Sequence, residues 1–396
     1  MERNKRLRIV FISSGLYPES GAATNRHLAY SKGLVQLGHE VQFLLLSRQS
    51  WKEETVEFDG IKFTCLNRSS NDTSSKIKKA IIHLQTIRNV KKTIKELNTK
   101  DPISALIILN TSISILWPLI NYGRKLDLKI IHERTEYPSE VRKKGILGQL
   151  DLQIYLKYLV KKFDGLYVIN NALKKYFSKI ANLKIRIVNM VVDPARFNVE
   201  KDNCTSGKIF ITYCGTLNER KDGVCTLIKS FALISNEFFS VTLQLIAPLT
   251  NEKTKQEIDK LISDLGIQNR VVFTGQKTRN EIPMLLKKSD LLVLARPKNK
   301  QAEGGFPTKL GEYLASGVPV VVTDVGEIKS FLKDNVNAFI AEPDSIDEFS
   351  KKLREALLCK DRAKIGLEGK KLVYNEFNYL TQAKEIVKLI EEVSLI

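Results

Sequence analysis

A chain of 396 residues with 43% apolar content and a mean hydropathy of −0.16 has material for two domains and core enough to fold, which argues against a disordered or membrane-filling protein. Its charge is lopsided: 63 Lys and Arg against 44 Asp and Glu leave +19, which asks for an anionic partner such as a phosphorylated small molecule, a lipid surface or nucleic acid. Five cysteines without CxxC spacing and four scattered histidines argue against a structural zinc site and suit a reducing compartment.

Residues 8–12 read as an apolar strand that enters a loop punctuated by Gly15, Pro18 and Gly21. The apolar run is too short for the core of an export signal. A helix over 25–37, capped by Gly38, and a strand over 41–46 complete a strand–loop–helix–strand unit with a parallel sheet. Such sheets bind ligands outside the carboxyl ends of their strands, so the Gly15–Gly21 loop is expected to face one; it lacks the GxGxxG spacing of a dinucleotide fingerprint.

A strand over 61–66 precedes a basic helix over 76–97 that carries Lys78, Lys79, Arg88, Lys91, Lys92 and Lys95. The most hydrophobic stretch, 105–120, contains Asn110, Thr111, Ser112, Ser114 and Pro118 and falls short of the roughly 20 apolar residues of a spanning helix. It reads as a buried strand, a loop and the start of a helix. A strand over 129–132 closes on His132, Glu133 and Arg134, and an amphipathic stretch over 146–163 follows Arg142, Lys143 and Lys144. Strands over 165–169 and 185–188 complete one α/β domain.

Residues 198–208 are polar and without apolar period, which places a domain boundary there. A second alternation follows: strands over 209–214, 242–246, 271–274 and 291–294 with helices over 226–235, 252–265 and 280–288 between them. The segment EGGFPTKLGEYLASGVPVVVTD, 303–324, reads as a glycine-rich turn, a helix over 308–315 stopped by Gly317, and a valine strand. Gly304 and Gly305 would allow close backbone approach or positive φ, and Pro307 suits the first helical turn. The helix start is an anion site in waiting, with Glu303 and Glu312 near it. A strand over 338–340 closes the sheet.

With these pieces in order, the sequence resembles the GT-B glycosyltransferases, specifically the retaining enzymes grouped as family 4 (glycosyl transferases group 1). The resemblance rests on the loop ending at Gly21, NMVVDPARF at 189–197, GTLNERKDG at 215–223, VVFTGQ at 271–276, SDLLVL at 289–294 and GGFPTKLGEYLASGVPVVVTD. It implies two Rossmann-like domains facing across a cleft: 1–198 for the acceptor, 199–380 for the nucleotide sugar, and a helix over 381–396 that crosses back to the first. The implied activity is retaining, hexosyltransferase-type transfer from a UDP- or GDP-linked donor to a saccharide or lipid-linked saccharide, in surface polysaccharide or glycolipid synthesis.

The resemblance also assigns roles. Departing diphosphate needs fixed cations, and Lys221 matches the family's lysine; its usual arginine partner position is Thr216, with Arg220 available beside Lys221. Glu312 matches the second glutamate of the E-x7-E pattern and should hold the ribose; the first falls on Gly304, with Glu303 one residue ahead. His132 should contact the donor sugar or leaving group. Gly15, Gly21, Gly215, Gly304, Gly305, Phe306, Pro307, Thr308 and Lys309 should line the donor, with backbone N–H groups around the helix start meeting the diphosphate. No Asp-x-Asp triplet occurs, and neither metal nor cofactor is expected.

The basic faces of the first domain suggest peripheral attachment to an anionic membrane surface on its cytoplasmic side. Two other readings are a GT-B nucleotide-sugar epimerase and a nucleic-acid-binding protein. The dispersal of 12 Tyr and 17 Phe speaks against the latter.

Overall fold

The computed structural model describes residues 6–18, 21–67, 75–142, 145–200, 207–248 and 252–395. Lys143, Lys144 and most of the polar 198–208 stretch lie outside them. The chain divides into two compact bodies, Met1–Val191 with Tyr379–Ile396, and Val192–Asn378. The changeover falls before the polar stretch because Val192–Phe197 already belongs to the second body: Phe197 is fully buried, and Val192 bridges to Asn378. The chain changes bodies where apolar contacts switch, and composition becomes polar only afterwards.

The first body is built on eight strands: β1 (Arg8–Ser13), β2 (Glu40–Leu45), β3 (Thr55–Phe58), β4 (Ile61–Cys65), β5 (Ala105–Ile108), β6 (Ile130–Arg134), β7 (Gly165–Val168) and β8 (Lys184–Ile187). Their order in the sheet is β3-β4-β2-β1-β5-β6-β7-β8. All neighbours are parallel except the β3–β4 hairpin. Most of the interior strands are near-continuous Val, Ile, Leu and Phe because helices cover both faces. A row of stacked rings, Phe11 on Phe43 at 4.7 Å and Phe43 on Phe63 at 5.1 Å, fills one side. The C-terminal helix Tyr379–Ser394 packs along helix Ala22–Gln36 of the same body. Arg186 at the sheet edge pins it through Glu385 at 2.6 Å and Glu392 at 2.5 Å.

The second body is an all-parallel sheet of six: β9 (Ile209–Cys214), β10 (Val241–Ile246), β11 (Val271–Phe273), β12 (Leu291–Leu294), β13 (Val320–Thr323) and β14 (Phe339–Ala341). Their order is β11-β10-β9-β12-β13-β14. Strand order therefore reverses between β9 and β12, as it does between β1 and β5 in the first body. Loops that part at such a switch point leave a crevice at the carboxyl ends of the strands.

Candidate active site

In the second body the switch point is lined by the turn after β9 and the segment after β12. Asn218 opens a four-residue helix, Glu219–Asp222, its side chain accepting the Lys221 N–H at 2.9 Å. Gly223 ends that helix in the left-handed region, φ 67°, and lies so close to the Ala295 carbonyl that any Cβ would collide with it. The turn thus aims Arg220 and Lys221 outward, both exposed, while Asp222 is buried.

Beyond β12, Glu303 and Gly304 lie on a short helix, Lys300–Gly304, whose Asn299 cap accepts from the Ala302 N–H and donates to the Arg220 carbonyl at 2.7 Å. This corrects the expected glycine-rich turn. Gly305 is extended at φ −123°, and the positive-φ glycine is Gly326, which packs against the Ala302 carbonyl. Glu303 is exposed, whereas Gly304, Gly305, Phe306 and Pro307 are buried. Helix Thr308–Ser316 then begins without a side-chain cap and ends at Gly317, φ 78°. Tyr313 docks it on the end of β9, its hydroxyl accepting the Cys214 N–H at 2.7 Å.

Lys309 is no surface lysine. Its ammonium donates to Asp222 at 2.7 Å and to the Tyr213 hydroxyl at 3.1 Å, and Tyr213 in turn donates to the Thr216 carbonyl at 2.6 Å. Burial lowers the proton affinity of Lys309; Asp222 opposes this, and the Lys221 charge adds to the lowering. A Cβ at Gly215 would press on the Lys309 amine and the Tyr213 hydroxyl, so the glycine leaves this cluster its room. The Cys214 thiol is pushed up to about 12 by burial, with Glu312 adding, so it stays neutral. Gly215, Lys221, Lys309 and Glu312 are therefore gathered around the end of β9.

Glu312 accepts from Arg196 at 2.9 Å, and Arg196 also donates to the Arg279 carbonyl at 2.8 Å. The sequence reading assigns Arg196 no role. Its available signal was the turn Asp193–Pro194, in which Asp193 accepts the Ala195 N–H and so presents the next residue.

In the first body, Gly21 caps helix Ala22–Gln36, which starts three residues earlier than expected. Gly15 is held on both sides: its N–H donates to Ser13 Oγ at 3.0 Å and its carbonyl accepts from Gln49 at 3.1 Å. Behind the loop runs a buried chain, Ser13–Tyr17–His27–Glu133, with links of 3.1, 2.6 and 2.9 Å. Burial works against ionising Glu133, but Arg26 and His27 outweigh it and hold its carboxyl down to about 2. His132 is fully buried, donates through Nδ1 to the Ile108 carbonyl at 2.6 Å and stacks on Phe163 at 4.6 Å. Burial, reinforced by Arg134, drops its pKa to about 3, so the ring is neutral. As placed, it presents no surface to a ligand.

Two doubly wound parallel bodies of this kind define the GT-B fold. The chain shares it with sucrose-phosphate synthase from Thermosynechococcus elongatus (TM-score 0.78, 14% identity, covering 98% of this chain and 100% of that one). It also superposes on HepE from Anabaena solved with UDP-glucose (TM-score 0.73, 15% identity, 98% and 100% covered). At these identities the likeness is one of fold. In sequence, residues 195–372 match the family described as glycosyl transferases group 1. The chain is similar to the amylovoran biosynthesis glycosyltransferase AmsK of Erwinia amylovora, 24% identical over 217 residues, 53% of this chain and 51% of AmsK. The chain thus spans about half the length of that relative.

Proposed function

We propose that the protein transfers a sugar, with retention, from a nucleotide-diphosphate donor to a saccharide or lipid-linked saccharide acceptor in surface polysaccharide or glycolipid assembly. The observation that carries this is the uncapped start of helix Thr308–Ser316 at the β9/β12 switch point, with Lys309 and Lys221 beside it and Glu312 one turn on. Free N–H groups and two cations suit a diphosphate that gains charge as it leaves. Glu312, held by Arg196, suits the ribose hydroxyls, and Lys221 and Arg220 can close over the phosphates. The group 1 match and the polysaccharide role of AmsK support the same reading. The reaction so drawn uses no cofactor and no metal, the donor being UDP- or GDP-linked.

A thermal-shift panel of nucleotide sugars tests it. A donor at about 100 times its Kd should add about 2.7 kcal/mol of stability, and Glu312→Ala should abolish the shift. An unchanged shift in the variant removes Glu312 from the site.

We also propose attachment to the cytoplasmic face of an anionic membrane. No helix among the described residues is long and apolar enough to cross a bilayer, but the first body exposes apolar side chains beside lysines. Ile77 and Leu84 stand out of helix Lys76–Lys100, and Ile146 and Leu147, 86% and 82% exposed, out of Ile146–Ile154. Failure to float with anionic liposomes at low salt would sink this.

A further inference from the structure

Two loops of the second body meet at the β9/β12 switch point, and the side chain of Asn299 ties one to the other. Both ends of its amide are used: Oδ1 accepts the Ala302 N–H at 2.9 Å, and Nδ2 donates to the Arg220 carbonyl at 2.7 Å, 79 residues away in the chain. A backbone N–H can only donate and a carbonyl only accept, so these partners fix which way round the amide stands. Asn299 therefore caps two helices at once. At the start of Lys300–Gly304 it is an N-cap. At Glu219–Asp222 it acts from outside: the carbonyls that close a helix lack partners within it, and the Gly223 N–H takes that of Glu219 while Asn299 takes that of Arg220.

The residue after Arg220 is Lys221. Its backbone is fastened on three sides: Asn218 accepts its N–H, Asn299 holds the preceding carbonyl, and Gly223 packs against the Ala295 carbonyl. The turn is otherwise exposed, and the Lys221 charge reaches Lys309, where it adds to the lowering of that lysine's proton affinity. Two ammonium groups repel, so an untied surface turn would relax away from the second charge at little cost. A fastened turn keeps both cations in place before any anion arrives. Donors fixed in advance stabilise charge on a departing phosphate without having to reorganise.

We infer that Asn299 is a positioning residue: by clasping the Arg220 carbonyl it holds Lys221 where the second phosphate of a nucleoside diphosphate meets it. The role rests on the proposed nucleotide-diphosphate site, and it traces that site's preference for a second phosphate to a neutral amide that itself meets no ligand.

The test is calorimetric titration of the full chain with UDP, UMP, GDP and GMP. Wild type should bind one diphosphate about tenfold or more tighter than its monophosphate, the worth of one charge-assisted hydrogen bond. Asn299→Ser keeps an N-cap oxygen but is too short to reach Arg220, whose exposed carbonyl then passes to water. It should leave monophosphate affinity and the unfolding temperature without ligand where they were, and shrink the diphosphate preference about three- to tenfold. Asn299→Asp, an equally good cap that cannot donate, should do at least as much and stands in should the serine variant not fold. Lys221→Met should cost less of the preference in the Asn299→Ser background than in wild type, because the amide acts through the lysine. An unchanged preference, an equal loss for monophosphate and diphosphate, or strict additivity with Lys221→Met overturns the role and leaves the nucleotide site standing. A wild type that binds neither UDP nor GDP refutes the nucleotide site, and the role of Asn299 with it.

Discussion

Lys309→Met removes the cation from the Asp222–Tyr213–Lys309 cluster while keeping an aliphatic stem of similar length. The Asp222 side chain is 1% exposed and that of Lys309 18%, so the carboxylate is sealed from water while the lysine side chain is not wholly so. Losing Lys309 leaves Asp222 only the Tyr213 hydroxyl at 3.0 Å, whose one proton the Thr216 carbonyl at 2.6 Å also claims, too little for a buried charge. Breaking a buried pair from one side costs about 3–5 kcal/mol. At the lower figure, a body of this size should unfold about 6–12 °C earlier. Asp222→Asn should cost less, because the lysine can swing toward solvent. The double variant should lose clearly less than the sum of the two, since the uncompensated charge is gone. Calorimetry of the transition that nucleotide stabilises measures all three. A Lys309→Met loss under about 1 kcal/mol, or strict additivity, refutes the view that the lysine neutralises Asp222 rather than awaiting a ligand alone.

His132 gives a pH dependence with a definite sign. Its folded pKa, about 3, lies below the ordinary 6.5, so between these values the unfolded chain takes up a proton that the folded chain refuses. Stability should fall as pH drops from 6.5 toward 3, by about 1.4 kcal/mol per unit from this residue. Urea titrations at pH 7 and pH 5 should show about 2 kcal/mol of it, absent in His132→Gln; an unaltered difference would acquit the histidine. Gly223→Ala, at φ 67° against the Ala295 carbonyl, should cost about 2 kcal/mol or more by thermal unfolding, and a neutral outcome would show that the turn can shift. Because lysines are proposed to meet the diphosphate, transfer should survive EDTA; a loss restored by Mg²⁺ would place a metal in the reaction.

The two-domain parallel architecture was legible because buried parallel strands are near-continuous apolar runs, as in VVVT of β13 or ALII of β5. The β3–β4 hairpin also had its signal. Asp59 and Gly60 both take positive φ, as an Asp-Gly turn does, but the β3 side chains are largely exposed and carry no apolar run to draw attention. The boundary was misplaced by several residues because polarity marks a linker, whereas membership of a body is decided by what Phe197 packs into. Of the two openings offered for Gly304 and Gly305, close approach or positive φ, the second is not taken: Gly304 is helical and Gly305 extended, and nearby Gly326 is the one at positive φ, against the Ala302 carbonyl.

The residues proposed for the donor site were readable where they lie together in sequence and opaque where they do not. Thr308, Lys309 and Glu312 share one helix start, so a single segment announces them. Asp222 and Arg196 contact Lys309 and Glu312 from stretches 87 and 116 residues away, and only the fold brings them there. His132 shows the same logic reversed. A histidine attracts attention by its titration range, but it stands inside β6, an interior strand buried along its whole length. A ring there meets Phe163 and the Ile108 carbonyl before it can meet a ligand. Burial exists only in the folded sheet, so the titration range that singles out a histidine in sequence does not tell whether its ring can be reached.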